Sequence, residues 1–350
     1  MNISQVFSDA VNSQASDIFI IAGLPLSYKI NGEIKPQGPA LLPLDTDELI
    51  RNIYALASRN MDEFSLTGDD DFSFSMKQIG RFRVNAYKQR GSLAAVLRVV
   101  MFDLPDPEKL SIPKEVINLF QKTKGLVLVT GPAGSGKSTT LACIIDKVNK
   151  TRNAHVITLE DPIEYIHKHN RSVVSQREIG MDTISYTQGL RAALRESPDV
   201  ILLGEMRDFD TISIAMSAAE TGQLVFSTLH TLGAANTIDR IIDVFPPAQQ
   251  QQVRVQLSMV LQAVVSQQLI PSVKGDLVPA FEIMFVNSAI RNMIRESKVH
   301  QIDSVVYSSS DEGMRNMDAS ILKLYEDGLI TGDSARFYSI NYDMISKKIE

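Results

Sequence analysis

Cysteine is almost absent from this chain of 350 residues. Cys143 stands alone, so neither an intramolecular disulfide nor a cysteine-based zinc site can form. Long apolar runs are missing too, and nothing approaches the roughly 20 residues that a bilayer-spanning helix needs. The opening residues, MNISQVFSDAVNSQ, have no basic segment followed by an apolar core, so a secretory signal is not expected. Positive charge is not in excess: 35 Lys and Arg face 41 Asp and Glu, a net of −6. That balance weighs against wholesale nucleic-acid binding, whose footprint is basic. Low-complexity tracts and internal repeats are also lacking. What remains is a globular composition, 44% hydrophobic and 22% charged, in a chain long enough for two domains. A cytoplasmic protein is expected.

One stretch carries the most information. Gly131-Pro132-Ala133-Gly134-Ser135-Gly136-Lys137-Ser138-Thr139 is a complete G-x-x-x-x-G-K-[ST] phosphate loop. Residues 125–130 (GLVLVT) before it read as a fully buried strand, and residues 140–148 (TLACIIDKV) after it as a helix with an apolar face. Glycines let successive N–H groups converge on a phosphate, and the helix N-terminus adds its partial positive charge. Lys137 is placed to reach the β- and γ-phosphates, and Ser138 to ligate Mg²⁺. The chain is expected to bind a nucleoside triphosphate.

Residues 1–102 read as an α+β domain. A helix over 3–13 leads into strands at 17–21 and 26–30, a hairpin turn at Asn31-Gly32 and a helical stretch over 45–63. Period-two patterning at 71–76, 80–88 and 92–100 predicts an antiparallel meander. The proline-rich, acidic Asp103-Leu104-Pro105-Asp106-Pro107 opens a linker over 103–112. In residues 113–350 strands alternate with helices, which implies an α/β core with a parallel sheet. Its expected strands are 126–130, 155–159, 200–203, 224–227 and 280–286, with the phosphate loop at the C-terminal edge of the first. From about 288 the chain reads as helical, over 288–296, 299–308, 315–327 and 332–338.

Three strand ends could serve a nucleotide. Ile157-Thr158-Leu159-Glu160-Asp161-Pro162-Ile163-Glu164 delivers three carboxylates into a proline-kinked turn. Val200-Ile201-Leu202-Leu203-Gly204-Glu205 is a Walker B arrangement in which Gly204 stands where an aspartate is usual. Leu224-Val225-Phe226-Ser227-Thr228-Leu229-His230-Thr231 ends in polar groups placed to sense a γ-phosphate. Phosphoryl transfer to water needs a carboxylate that organises metal and a group that positions the attacking water. Glu205 is the candidate for the metal, with Ser138, and Glu164 for the water. A lone carboxylate at a strand end is ordinarily just solvated, but two on successive strands beside a phosphate loop point to a site. His230 taken alone reads more simply as a hydrogen-bonded structural histidine. Arg81, Arg83 and Arg98 alternate with apolar residues and so share a sheet face or edge. They are either a solvated face or the arginines that stabilise charge in a neighbouring subunit's site.

In this order the segments resemble the secretion ATPases of the type II secretion and type IV pilus superfamily. The resemblance runs from Ala15-Ser16-Asp17-Ile18 through Tyr28-Lys29-Ile30-Asn31-Gly32 and Gly80-Arg81-Phe82-Arg83-Val84-Asn85 to the phosphate loop. Leu159-Glu160-Asp161-Pro162-Ile163-Glu164 matches the family's Asp box, and Ser197-Pro198-Asp199 through Glu205-Met206-Arg207-Asp208 its Walker B region. Ala218-Ala219-Glu220-Thr221-Gly222 with Thr228-Leu229-His230-Thr231 matches its His box. Ala289-Ile290-Arg291-Asn292-Met293-Ile294-Arg295-Glu296 is close to the AIRNLIRE signature of the pilus retraction ATPases, the PilT family. The absence of an additional N-terminal domain and of a four-cysteine cluster, both frequent in extension ATPases, agrees with it.

The resemblance implies a RecA-like P-loop NTPase core behind a PAS-like N-terminal domain, with a helical C-terminal tail. It implies ATP and Mg²⁺ as cofactors and a homohexamer with ATP at each subunit interface. Hydrolysis would drive an inner-membrane pilus platform protein from the cytoplasmic face, for pilus retraction and twitching motility, with no nucleic acid involved. Carried over by residue, Lys137, Ser138, Glu164, Glu205 and His230 form the core site, with Arg81, Arg83 and Arg98 completing it. Departures are Gln223, Phe19 and Phe281, each in place of a usual histidine. Other readings are an extension, secretion or accessory retraction motor, a nucleic-acid translocase, and a nucleotide-binding switch. In the 289–296 helix, Ala289, Ile290, Met293 and Ile294 are expected to pack inward, leaving Arg291, Asn292 and Arg295 more exposed.

Overall fold

The computed structural model describes residues 2–30, 32–77, 79–100 and 104–349. The expected turn residue Asn31 and the first linker residue Asp103 therefore lie outside the described residues. Contacts divide the chain into two units, Met1–Asp103 with Glu164–Ile166, and Leu104–Ile163 with His167–Glu350.

The first unit contains α1 (Ile3–Asn12), β1 (Asp17–Ile20), β2 (Pro25–Ile30), β3 (Glu33–Ala40), α2 (Pro43–Leu56), α3 (Asp62–Thr67), β4 (Asp69–Met76), β5 (Gly80–Gln89) and β6 (Ser92–Val100). Its sheet runs β3-β2-β1-β6-β5-β4, antiparallel throughout. The apolar stripe of α1 buries Val6, Phe7 and Ala10, and Phe7 meets Phe74 and Phe82 in the core. The expected single helix over 45–63 is in fact two. Pro43 begins α2 early because its missing N–H costs nothing in a first turn. Ser58, at φ +51, takes the chain out of the helix after Leu56. Strand β3 is the return arm that the expected hairpin requires, though the sequence did not mark its extent: all its residues are exposed, and pairing with β2 rather than burial holds it.

The second unit contains α4 (Lys114–Ile117), β7 (Gly125–Thr130), α5 (Lys137–Thr151), β8 (His155–Glu160), β9 (Val173–Glu178), α6 (Tyr186–Ala193), β10 (Val200–Leu203), α7 (Phe209–Glu220) and β11 (Leu224–Leu229). It continues with α8 (Ala234–Asp243), α9 (Pro247–Val260), β12 (Leu261–Pro271), β13 (Leu277–Phe285), α10 (Ser288–Arg295), α11 (Ile302–Ser308), α12 (Met317–Glu326), α13 (Gly332–Tyr338) and α14 (Tyr342–Lys348). The sheet order is β13-β12-β7-β11-β10-β8-β9. Every pair is parallel except β12 with β13. Every residue of β7, β10 and β11 is buried, as a parallel strand covered on both faces requires. The α/β fold class stands.

The sheet nonetheless has two strands, β9 and β12, that the sequence reading lacked, and β13 runs against the expected parallel direction. β12 follows α9 with no intervening loop, so no turn residue announces it. In α10, Ile290 and Ile294 are fully buried, but Ala289 is exposed and Met293 only half-buried. Arg291 is half-buried rather than free: its Nη1 donates to the carbonyls of Ser258 (2.8 Å) and Met259 (3.0 Å) in the last turn of α9. The last helices close on Met317, Ile321, Ala335 and Ile345, packed against Ile270 and Ala280 of the sheet. Among the described residues no helix is long and apolar enough to cross a membrane.

Candidate active site

β7 runs directly into the phosphate loop, whose glycines 131, 134 and 136 have φ of +141°, +76° and +85°. Two of them also face a close neighbour. A Cβ on Gly136 would lie 2.9 Å from Gln267 Nε2, and one on Gly131 would drive into the Gln267 carbonyl. Lys137, the first residue of α5, is buried, and its Nζ donates to the carbonyls of Gly131 and Pro132, both at 2.8 Å. The ammonium therefore lies over the loop whose N–H groups form the phosphate cradle. Pro132, Ala133, Gly134 and Ser138 are exposed, Thr139 is half-buried and Ser135 is buried. Beside the loop opens a cavity of about 310 Å³ lined by Gly136, Thr139, Thr140, Gln267 and Val278. Thr140 Oγ1 donates to Gln267 Oε1 at 2.8 Å, which directs the other end of that amide away from Thr140.

Two strands away, β10 delivers Glu205, whose side chain is 15% exposed. Its Oε1 pairs with Arg207 Nε at 2.7 Å and its Oε2 with His230 Nε2 at 3.3 Å. Thr228 Oγ1 donates to the Gly204 carbonyl at 2.6 Å, and Met206 N to the Thr228 carbonyl at 3.1 Å. These bonds continue the β10–β11 pairing beyond the strands and hold Glu205 and His230 together. Glu160, at the end of β8, accepts from Thr158 Oγ1 at 2.6 Å. Glu164 is exposed and groups with the first unit. Gln223 sits at the opposite edge of the sheet. Its carbonyl accepts from Gly125 N at 3.0 Å, and its side chain accepts from Thr221 Oγ1 at 2.8 Å. The length of β11 thus separates this departure from the phosphate-loop end.

Arg83 and Arg98 stand directly opposite each other on β5 and β6, and Arg81 lies two residues along the same face. Arg83 is forked onto Asp71, at 2.7 and 3.2 Å, Arg98 Nε reaches Asp17 at 3.3 Å, and Arg81 Nη1 reaches Ser75 at 3.4 Å. All three are anchored on their own unit. Sequence reasoning missed Arg207 and Gln267. Arg207 carried a signal, being a cation two residues beyond Glu205. Gln267 carried none, because it lies on the unrecognised β12.

A phosphate loop between a buried strand and a helix, at the C-terminal edge of a parallel sheet with an acidic strand end nearby, defines a P-loop nucleoside triphosphatase. Residues 1–310 match the Type II/IV secretion system protein family, and the chain belongs to that family. It is 42% identical over 337 residues to the type IV pilus retraction ATPase PilT of Pseudomonas aeruginosa, covering 96% of this chain and 97% of that one. It is 47% identical over 277 residues to a twitching motility protein of Neisseria gonorrhoeae, covering 79% and 74%. The crystal structure of the pilus retraction motor PilT with bound ADP matches with a TM-score of 0.91 at 46% identity, over 99% of both chains.

Proposed function

We propose that this protein is an ATP hydrolase that powers retraction of a type IV pilus. The observation that carries this reading is the complete phosphate loop beside the Glu205–His230 pair, in a chain that matches an ADP-bound retraction motor along its length. The triphosphate docks on the backbone N–H groups of the loop, and Lys137 exchanges its two carbonyl partners for phosphate oxygens. The nucleoside extends into the cavity at Gly136, Thr139 and Gln267. The exposed Ser138 hydroxyl and the Glu205 carboxylate are hard oxygen donors that suit Mg²⁺. When bound, Mg²⁺ neutralises charge on the β- and γ-phosphates.

Glu164 positions the attacking water and accepts its proton, while His230, held by Glu205, reports the γ-phosphate to β11 and the loop beyond it. Arg81, Arg83 or Arg98 completes the site of a neighbouring subunit in a homohexamer, giving up its own-unit partner to do so. The work is delivered to a pilus platform protein at the cytoplasmic face of the inner membrane. The test pairs Lys137→Ala with Glu205→Ala in the purified protein. The first loses ATP affinity and turnover; the second keeps ATP bound and loses turnover. Normal turnover in either variant removes that residue from the site. Deletion of the gene should leave cells hyperpiliated and unable to twitch. Loss of surface pili would reverse the direction to extension, and turnover stimulated by DNA would favour a translocase.

A further inference from the structure

Gln267 lies on β12, the strand beside β7, and its side chain lines the same cavity wall as Gly136 and Thr140. The residue is 3% exposed. Val265, two residues earlier on the same strand face, and Phe281, opposite it on β13, belong to one core cluster with Leu141 and Ile144 of α5. Close packing of that kind leaves a side chain few rotamers. Thr140 Oγ1 then fixes which way round the amide sits, because only its oxygen end can accept the hydroxyl proton. Nε2 is thereby turned toward the phosphate loop, 2.9 Å from where a Cβ on Gly136 would stand.

This Nε2 makes no hydrogen bond with any described residue. Buried amide donors ordinarily have a partner, since an unmade bond there forfeits the donor's hydration with nothing in return. Here the free donor borders the cavity that begins at Gly136 and Thr139. Leu110, Ile112, Leu269 and Val278 give that cavity apolar walls, which suit a flat base. A nucleotide reaching from the loop to those walls carries its sugar and α-phosphate past Gly136, and so past the amide.

We infer that Gln267 is a nucleotide-binding residue, its Nε2 donating to an oxygen where the sugar meets the α-phosphate. The inference rests on the nucleotide reading of this site and adds to it a contact that the loop motif does not contain. Thr140 acts through Gln267 as a positioning residue, holding the amide with its donor toward the ligand. A donor fixed before the ligand arrives loses little freedom on binding, which is why it adds affinity.

Gln267→Met and Thr140→Val both break the Thr140–Gln267 bond at nearly unchanged side-chain volume, but only the first removes the donor. In titration calorimetry Gln267→Met is expected to weaken ADP binding about tenfold, the scale of a hydrogen bond to a charged partner. Thr140→Val should weaken it about twofold, because the amide remains and loses only its fixed orientation. Unfolding temperatures measured without nucleotide correct for any difference in folding. Equal losses of affinity in the two variants would show that Gln267 merely ties β12 to α5, and would overturn the proposal. An unchanged affinity in Gln267→Met would overturn it too. Gln267→Glu keeps the bond from Thr140 and sets a charged acceptor where the donor was. At about pH 8 its loss should exceed that of Gln267→Met, and a smaller loss would show that no nucleotide oxygen faces this position. A parent protein that bound ADP without hydrolysing ATP would refute the hydrolase reading, while these affinities would still decide the role of Gln267.

Discussion

Replacing Glu282 with alanine probes how the loop that begins at His230 is tied to the helical tail. Glu282 is 5% exposed, on β13. It accepts from Ala234 N, the first residue of α8, at 2.6 Å and from Met317 N, the first residue of α12, at 3.4 Å. Across the sheet it pairs with Ser266, whose Oγ accepts from Gly233 N at 3.0 Å, and Ser266 pairs in turn with Thr130, just ahead of the phosphate loop. Alanine leaves two helix-starting N–H groups without an acceptor. A buried unsatisfied group costs about 1–3 kcal/mol, and the longer of the two bonds sits at the weak end, so a loss of about 2–4 kcal/mol is expected.

The loss should depend on pH. Burial raises the Glu282 carboxyl above its ordinary 4.5, outweighing the two backbone bonds that lower it. With the folded value above the unfolded one, the folded chain holds the proton more tightly. The stability Glu282 contributes is therefore fullest below the unfolded value and declines as pH rises through the folded one. Urea unfolding followed by circular dichroism, at about pH 5 and about pH 8, should show the gap between parent and variant narrowing as pH rises. A loss under about 1 kcal/mol, or a gap that widens with pH, would refute the reasoning.

Gly136→Ala combines a left-handed φ of +85° with a Cβ 2.9 Å from Gln267 Nε2. Strain of about 1–3 kcal/mol should distort the phosphate cradle and weaken ADP binding in titration calorimetry roughly tenfold or more. Arg291→Ala removes the cation that bonds the last carbonyls of α9. It should cost about 1–2 kcal/mol in urea unfolding and speed hydrogen exchange in that last turn while leaving ADP binding intact, whereas unchanged exchange would return Arg291 to the free surface.

The elements legible in the sequence are those whose burial repeats along the chain. β7, β10 and β11 are apolar at nearly every position because helices cover both faces of a parallel sheet, so their runs announce themselves. The phosphate loop is equally local: its glycines, Lys137 and Ser138 act within nine residues of backbone, and the chain could be read there as P-loop without any fold. The β4–β6 meander was visible through its alternation.

Other features depend on what lies across from a residue, and no local period records that. β3 is exposed along its whole length and exists because β2 offers a free edge. β12 is continuous with α9, and its Gln267 meets Thr140 across 127 positions of chain. His230 read alone as an ordinary histidine became a partner of Glu205 only when β10 and β11 were set side by side. Local patterning thus determined that this is an α/β nucleotide-binding chain, because burial of a strand or a helix face is written in consecutive side chains. The partners of Glu205, Gln267, Glu282 and Arg291 were decided by tertiary structure, because they follow from the register in which distant segments pack.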